Sequence, residues 1–142
     1  MRVLVLHGPN LNLRGERDPE VYGSMSLAEI DQRLYEAGAE LGLEVRTFQS
    51  NHEGALIDQL HSARESADAI IINPAGLGHT SVSLRDAIEA IAIPTIEVHL
   101  SNIYGREPFR RSTTTAEVCQ GVIAGFGWQS YALALRALAQ TQ

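Results

Sequence analysis

The 142-residue chain has no lysine, and all eleven of its basic residues are arginine. That excludes Schiff-base catalysis, a P-loop lysine and a lysine general base. It has one cysteine, Cys119, so an internal disulfide and any CxxC metal or redox motif are excluded. Cys119 falls in an apolar run of helical spacing and reads as a buried, inert thiol. No run approaches the about eighteen apolar residues of a membrane span. The first apolar run meets Gly8-Pro9 too early for a signal peptide, so a cytoplasmic protein with no membrane partner is expected. Excess positive charge is lacking as well: the net charge is −6, which gives no support for a nucleic-acid partner. The five histidines form neither HExxH nor another compact ligand set, so no metal is expected.

What is present is an ordinary soluble composition, 44% apolar and 20% charged, in a length that suits a single domain with a real core. Short β-branched runs at 2–6, 43–48, 69–72 and 95–98 read as strands of a buried parallel sheet. Helical patterns alternate with them. Ser26-Leu27-Ala28-Glu29 is a capping box ahead of Leu27, Ile30, Leu34 and Leu41. Asn51 is a candidate cap for a helix carrying Leu56, Ile57 and Leu60. Leu84, Ala87, Ile88 and Ile91 stripe a third helix over 82–91. A second capping box, Thr114-Thr115-Ala116-Glu117, predicts a last helix over 114–138, with Gly121 and Gly125 explained by close backbone packing. The expected fold is α/β: a flavodoxin-like, doubly wound parallel sheet in three αβα layers, order 2-1-3-4 with room for a short fifth strand.

Such sheets bind ligands beyond the carboxyl ends of their strands, near the switch point between strands 1 and 3. The segments after each strand, 7–12, 49–53, 73–81 and 99–111, are all polar and unusual. Residues 14–24 form a long polar loop, read as a lid. Glu97 and His99, at i and i+2 on a strand, share one face. A carboxylate there favours the protonated ring, which makes a general acid; a buried, satisfied strand-end pair is equally compatible. Arg17 and Tyr22 share the lid. A phenol with a solution pKa of about 10 becomes a base only beside positive charge, from Arg17 and from Arg106 or Arg110. Spacing alone also allows a tyrosine that packs the loop down. Asn10, Asn12 and Asn73 can hold a substrate oxygen or shape turns. His79 sits where a helix opens, as ligand contact or cap, and Ser101 and Asn102 offer donors. Gly76-Leu77-Gly78-His79-Thr80-Ser81, followed by Glu97, imitates a dinucleotide fingerprint but has serine at the third small position.

Gly8-Pro9-Asn10-Leu11-Asn12-Leu13, Tyr22-Gly23, Gln49-Ser50-Asn51-His52-Glu53-Gly54, Ile72-Asn73-Pro74, His79-Thr80-Ser81, Glu97-Val98-His99-Leu100-Ser101-Asn102, Arg106, Phe109-Arg110 and the glycine-rich 121–127 together resemble the type II 3-dehydroquinate dehydratases. The match runs in order along nearly the whole chain. The resemblance implies reversible loss of water from 3-dehydroquinate, giving 3-dehydroshikimate in the shikimate pathway, without a cofactor. It implies that Tyr22 removes the proton beside the ketone, that Arg17 stabilises the phenolate, and that Asn10 holds an enolate-stabilising water. His99, oriented by Glu97, would protonate the departing hydroxyl. Asn73, His79, Arg106 and Arg110 would hold substrate, with Leu100 and Ser101 on its carboxylate. Asp86 would come from a neighbouring subunit, since the family forms homo-oligomeric trimers assembled into dodecamers. His7, Gly78 and Tyr104-Gly105 depart from the family's commonest residues, and none of them removes a catalytic group. The competing class is a non-catalytic flavodoxin-like module for a nucleotide or flavin.

Overall fold

The computed structural model describes residues 1–15 and 25–141. Strands β1 (Arg2–His7), β2 (Glu44–Gln49), β3 (Ala69–Asn73), β4 (Thr95–His99) and β5 (Gly121–Ala124) are all parallel, in the order β2-β1-β3-β4-β5. Helices α1 (Leu27–Glu40), α2 (Glu53–Ser66), the single turn α3 (Leu77–Thr80) and α4 (Val82–Ile91) connect β1 through β4, three 3₁₀ turns connect β4 to β5, and α5 (Gln129–Ala139) follows β5. The flavodoxin-like reading is borne out, fifth strand included.

The period-2 geometry of a strand explains the two cores. Val3 and Val5 of β1, with Ile71, Ile96 and Val98, face Leu34 of α1 and Leu135 of α5. Leu4 and Leu6, with Ile70 and Ile72, face Leu56 and Leu60 of α2 and Leu84 and Ile88 of α4. A sheet covered on both sides needs strands that are apolar at every position, and β3 is buried throughout. Each fully buried leucine or isoleucine contributes roughly 1.5–3 kcal/mol relative to exposure.

Helix starts follow the caps in part. Ser26 Oγ accepts Glu29 N–H at 3.2 Å, and Ser81 Oγ accepts Leu84 N–H at 2.9 Å ahead of an α4 whose bounds and stripe are those expected. Asn51 does not cap α2. His52 holds the cap position without a side-chain bond, and Asn51 Oδ1 instead accepts Asn10 N–H at 2.9 Å and Gln49 Nε2 at 3.1 Å. The amide is drawn across to the loop after β1, and Ser50 Oγ takes His52 N–H at 2.9 Å in its place.

The expected helix over 114–138 is corrected. Thr115–Val118 is a 3₁₀ turn, β5 follows, and α5 begins only at Gln129. Thr114 makes no side-chain cap; Thr113 Oγ1 accepts Ala116 N–H at 3.2 Å instead, while donating to Glu97. Gly125 (φ 99) and Gly127 (φ 62) take left-handed backbone, which ends the strand and cannot belong to a helix. Gly125 N–H bonds His99 carbonyl at 3.2 Å, fastening the end of β5 to the end of β4. Cys119 therefore lies before β5, outside any α-helix.

Gly8 shows how tightly the carboxyl edge is drawn together. Its N–H donates to Asn73 carbonyl at 2.8 Å, and a Cβ there would lie 2.6 Å from the Pro74 carbonyl oxygen. Only glycine lets the loops after β1 and β3 approach this closely. Among the described residues, no helix is long and apolar enough to cross a membrane.

Candidate active site

The loops after β1, β3 and β4 enclose a cavity of about 150 Å³ at the carboxyl edge of the sheet. An apolar cavity of about that size accommodates a six-membered ring. Asn10 and Leu11 come from the first loop, Asn73, Ala75 and His79 from the second, and His99, Leu100, Ser101, Arg106 and Arg110 from the third. Eight of the expected site residues thus meet in one place: Asn10, Asn73, His79, His99, Leu100, Ser101, Arg106 and Arg110. Three walls come from three strand ends, as the switch-point rule requires.

Glu97 stands directly behind His99. Both are buried, with Glu97 at 0% exposure, and His99 Nε2 lies 2.8 Å from Glu97 Oε2. Thr113 Oγ1 donates to the same oxygen at 2.8 Å, and Thr115 Oγ1 donates to Oε1 through a short bond. The carboxylate is therefore fully engaged within the protein, which is the condition for burying a charge without a large penalty. It receives the Nε2 hydrogen of His99, so Nδ1 is the nitrogen left for the cavity. The pair is neither inert packing nor a free acid; it is an oriented imidazole.

His79 stacks on His99, with ring centroids 6.1 Å apart and planes at 23°. Its Nδ1 lies 2.9 Å from Ser112 carbonyl. A carbonyl only accepts, so Nδ1 carries the hydrogen and Nε2 can accept from a ligand. His79 belongs to the short turn α3, and the cap of the following helix is Ser81. Phe109 meets His79 edge-on, with ring centroids 6.1 Å apart.

The arginines supply the positive wall. Arg106 Nη1 donates to Ser101 Oγ at 3.2 Å. Arg110 Nε donates to Glu107 at 2.6 Å, and its guanidinium carbon lies 4.9 Å from the Phe109 ring centre. Arg110 in turn holds the Glu107 carboxyl below the usual carboxylate range. Using Nε for the carboxylate leaves the terminal nitrogens of Arg110 for an anionic or hydroxylated ligand.

Two amides line the cavity. Asn10 takes left-handed backbone (φ 70), accepted more readily by asparagine than by most residues. Asn73 is 3% exposed; its Oδ1 accepts Ala75 N–H at 3.1 Å and its Nδ2 donates to Tyr131 Oη at 3.1 Å.

Asp86 stands apart. It projects from α4 with a 64% exposed side chain, 3.2 Å from Arg85 Nη1, and does not line this cavity. Arg17 and Tyr22, and most of the expected lid over 14–24, lie outside the described residues. The dinucleotide imitation fails on geometry, because α3 is one turn long and Glu97 is spent on His99 and two threonines. Burial, reinforced by the charge of Glu97, pushes the Cys119 thiol up to about 12, which keeps it unreactive near neutral pH.

Sequence reasoning missed Thr113, Thr115, Glu107 and Tyr131. Thr115 was visible only as part of a capping box. Tyr131 is fully buried in the apolar face of α5, where it is indistinguishable by pattern from core. Glu107, three residues before Arg110, carried the one usable signal.

The dehydroquinase class II family model matches residues 1–139. The chain is 58% identical to 3-dehydroquinate dehydratase of Pelotomaculum thermopropionicum over 139 residues, 98% of this chain and 96% of that one. It is 54% identical to the enzyme of the same name from Desulforudis audaxviator, over 96% of this chain and 91% of that one. The crystal structure of type II dehydroquinase from Butyrivibrio crossotus superposes with a TM-score of 0.95 at 40% identity, covering 97% of each chain. Sequence and backbone thus agree over almost the full length, and the chain belongs to the class II dehydroquinase family.

Proposed function

We infer that the chain is a 3-dehydroquinate dehydratase, a hydro-lyase that removes water reversibly from 3-dehydroquinate to give 3-dehydroshikimate, a step of the shikimate pathway. The observation that carries the reading is the Glu97–His99 pair, anchored by two threonine hydroxyls and open at one nitrogen to a ring-sized cavity.

Elimination of a β-hydroxyl from a ketone needs a base, an enolate stabiliser and an acid on the leaving oxygen. Tyr22, as a phenolate stabilised by Arg17, takes the proton next to the ketone, and the bonding pair moves to the carbonyl oxygen. A water held by Asn10 donates to the enolate. As the enolate collapses, the carbon–oxygen bond to the hydroxyl breaks, and His99 gives its proton so that water departs. The base ends protonated and the acid deprotonated, and exchange with solvent resets both. No step transfers electrons to or from the substrate, so the chemistry needs no redox cofactor.

Binding follows the walls of the cavity. Asn73, His79 and Arg110 hold substrate hydroxyls, while the Leu100 and Ser101 amides and the Ser101 hydroxyl take the carboxylate. Arg106 fixes that hydroxyl and adds positive charge. Asp86, solvent-exposed on its own subunit, suits a role in a neighbouring site of a homo-dodecamer built from trimers, and the enzyme works in the cytoplasm. The alternative of a nucleotide- or flavin-binding module is not favoured: its recognition carboxylate, Glu97, is already occupied.

The test is direct. Purified protein mixed with 3-dehydroquinate should produce rising ultraviolet absorbance as the conjugated enone forms. A folded protein that gives no rise overturns the reading.

A further inference from the structure

Behind the cavity lies a second polar cluster that the reaction above does not use. His7, at the end of β1, is 0% exposed, with Nδ1 2.8 Å from Tyr131 Oη and Nε2 2.8 Å from Asp31 Oδ1. Tyr131 is equally buried, and Asn73 Nδ2 reaches the same phenol oxygen at 3.1 Å. Asn73 Oδ1 accepts Ala75 N–H at 3.1 Å. One line of hydrogen bonds therefore joins α1, β1, α5 and β3, and its last member lines the cavity.

The donors along this line can be assigned from one end. Ala75 N–H only donates, so the amide atom it meets is oxygen, and the Asn73 nitrogen faces Tyr131. With Asn73 donating into Oη, the single phenol hydrogen goes to His7 Nδ1. Burial pushes the Tyr131 phenol above its usual range, so it stays a hydroxyl donor. His7 Nδ1 must then accept, Nε2 carries the ring hydrogen, and the Asp31 carboxylate receives it. The other tautomer would leave the phenol hydrogen without this acceptor and set a bare Nε2 against the Asp31 carboxylate, at a site with no water-exposed surface on either ring.

We propose that Asp31, His7 and Tyr131 are positioning residues that lock the orientation of the Asn73 amide, so that its second Nδ2 hydrogen enters the cavity as a donor. The cavity then selects an acceptor oxygen, a hydroxyl or carbonyl of the ligand, at that point. The proposal rests on the reading of Asn73 as a substrate-binding residue. It adds three residues that never touch substrate to the determinants of its affinity.

The experiment is ¹⁵N NMR of the His7 ring in the full-length protein at neutral pH, paired with kinetics of Asp31 and Tyr131 variants. The expected spectrum has a protonated Nε2 and an unprotonated Nδ1. A protonated Nδ1 overturns the assignment. Asp31→Asn, whose amide oxygen still accepts, should keep that spectrum and the wild-type KM. Asp31→Leu should disturb the spectrum, and Tyr131→Phe should raise KM about tenfold with kcat changed less than about threefold, the scale of one lost orienting hydrogen bond. Should Tyr131→Phe fail to fold, the Asp31 pair decides, since that end of the line is 22% exposed. Wild-type KM in Asp31→Leu and Tyr131→Phe, alongside a raised KM in Asn73→Ala, overturns the positioning role and spares the reading of Asn73. Wild-type kinetics in Asn73→Ala overturns both.

Discussion

Two histidines end strands of the same sheet, each with Nε2 2.8 Å from a carboxylate oxygen, and their surroundings fit them for different work. His99 faces Glu97, a carboxylate saturated by two threonines, and its other nitrogen is left to the cavity. His7 faces Asp31, and its other nitrogen is taken by Tyr131. A carboxylate–imidazole pair is therefore not itself a mark of catalysis. What decides is whether one ring nitrogen is free to meet a ligand and whether the carboxylate is kept from competing for it.

The contrast can be broken most sharply at His99. His99→Ala should lower kcat by about a thousandfold, within the range for loss of a general acid, while the thermal melt stays near wild type. Tyr22→Phe should do the same, and full activity in either variant removes that residue from the mechanism. His7→Leu should show the opposite pattern. It strips the Tyr131 hydroxyl of its acceptor in a buried place, at about 1–3 kcal/mol. The melting temperature should fall by several degrees while kcat changes less than about tenfold. A thousandfold loss in a folded His7→Leu would erase the distinction.

Thr115→Val tests what steadies Glu97. The side chain keeps its shape and loses the hydroxyl, so kcat should fall about tenfold with little change in KM, and Thr115→Ser should restore it. The smallest effect belongs to Cys119. Burial first, and the Glu97 charge second, hold its thiol up at about 12. Glu97→Gln should therefore raise its alkylation rate at pH 8 a few-fold and leave it far below that of the unfolded chain, since only the lesser cause is removed.

The inner strands β1, β3 and β4 were legible because they are buried on both faces, which leaves short apolar runs; the edge strands β2 and β5 are partly exposed, and β5 was not separated from the helix expected over 114–138. Helix α4 was legible to the residue because Ser81 caps it and Leu84, Ala87, Ile88 and Ile91 keep helical spacing. The same logic failed over 114–138. A capping box is a local signal, and there it lost to a tertiary one, the pull of Glu97 on Thr113 and Thr115. Asn51 failed likewise, its amide claimed from across the edge by Asn10 and Gln49. Glu97 and His99 were readable since i and i+2 on a strand must share a face. Tyr131 was not, because nothing along α5 reveals that a strand 124 residues earlier ends in its hydrogen-bond partner.

The missing side chain at Gly8 has a further consequence. With 2.6 Å between a would-be methyl and the Pro74 carbonyl, two walls of the cavity are welded along a seam one atom wide. Neither can be remodelled alone without prising the other off the sheet. Natural or engineered changes in ligand preference should therefore accumulate on the opposite rim, around Gly105, where an added Cβ would meet nothing nearer than 3.6 Å.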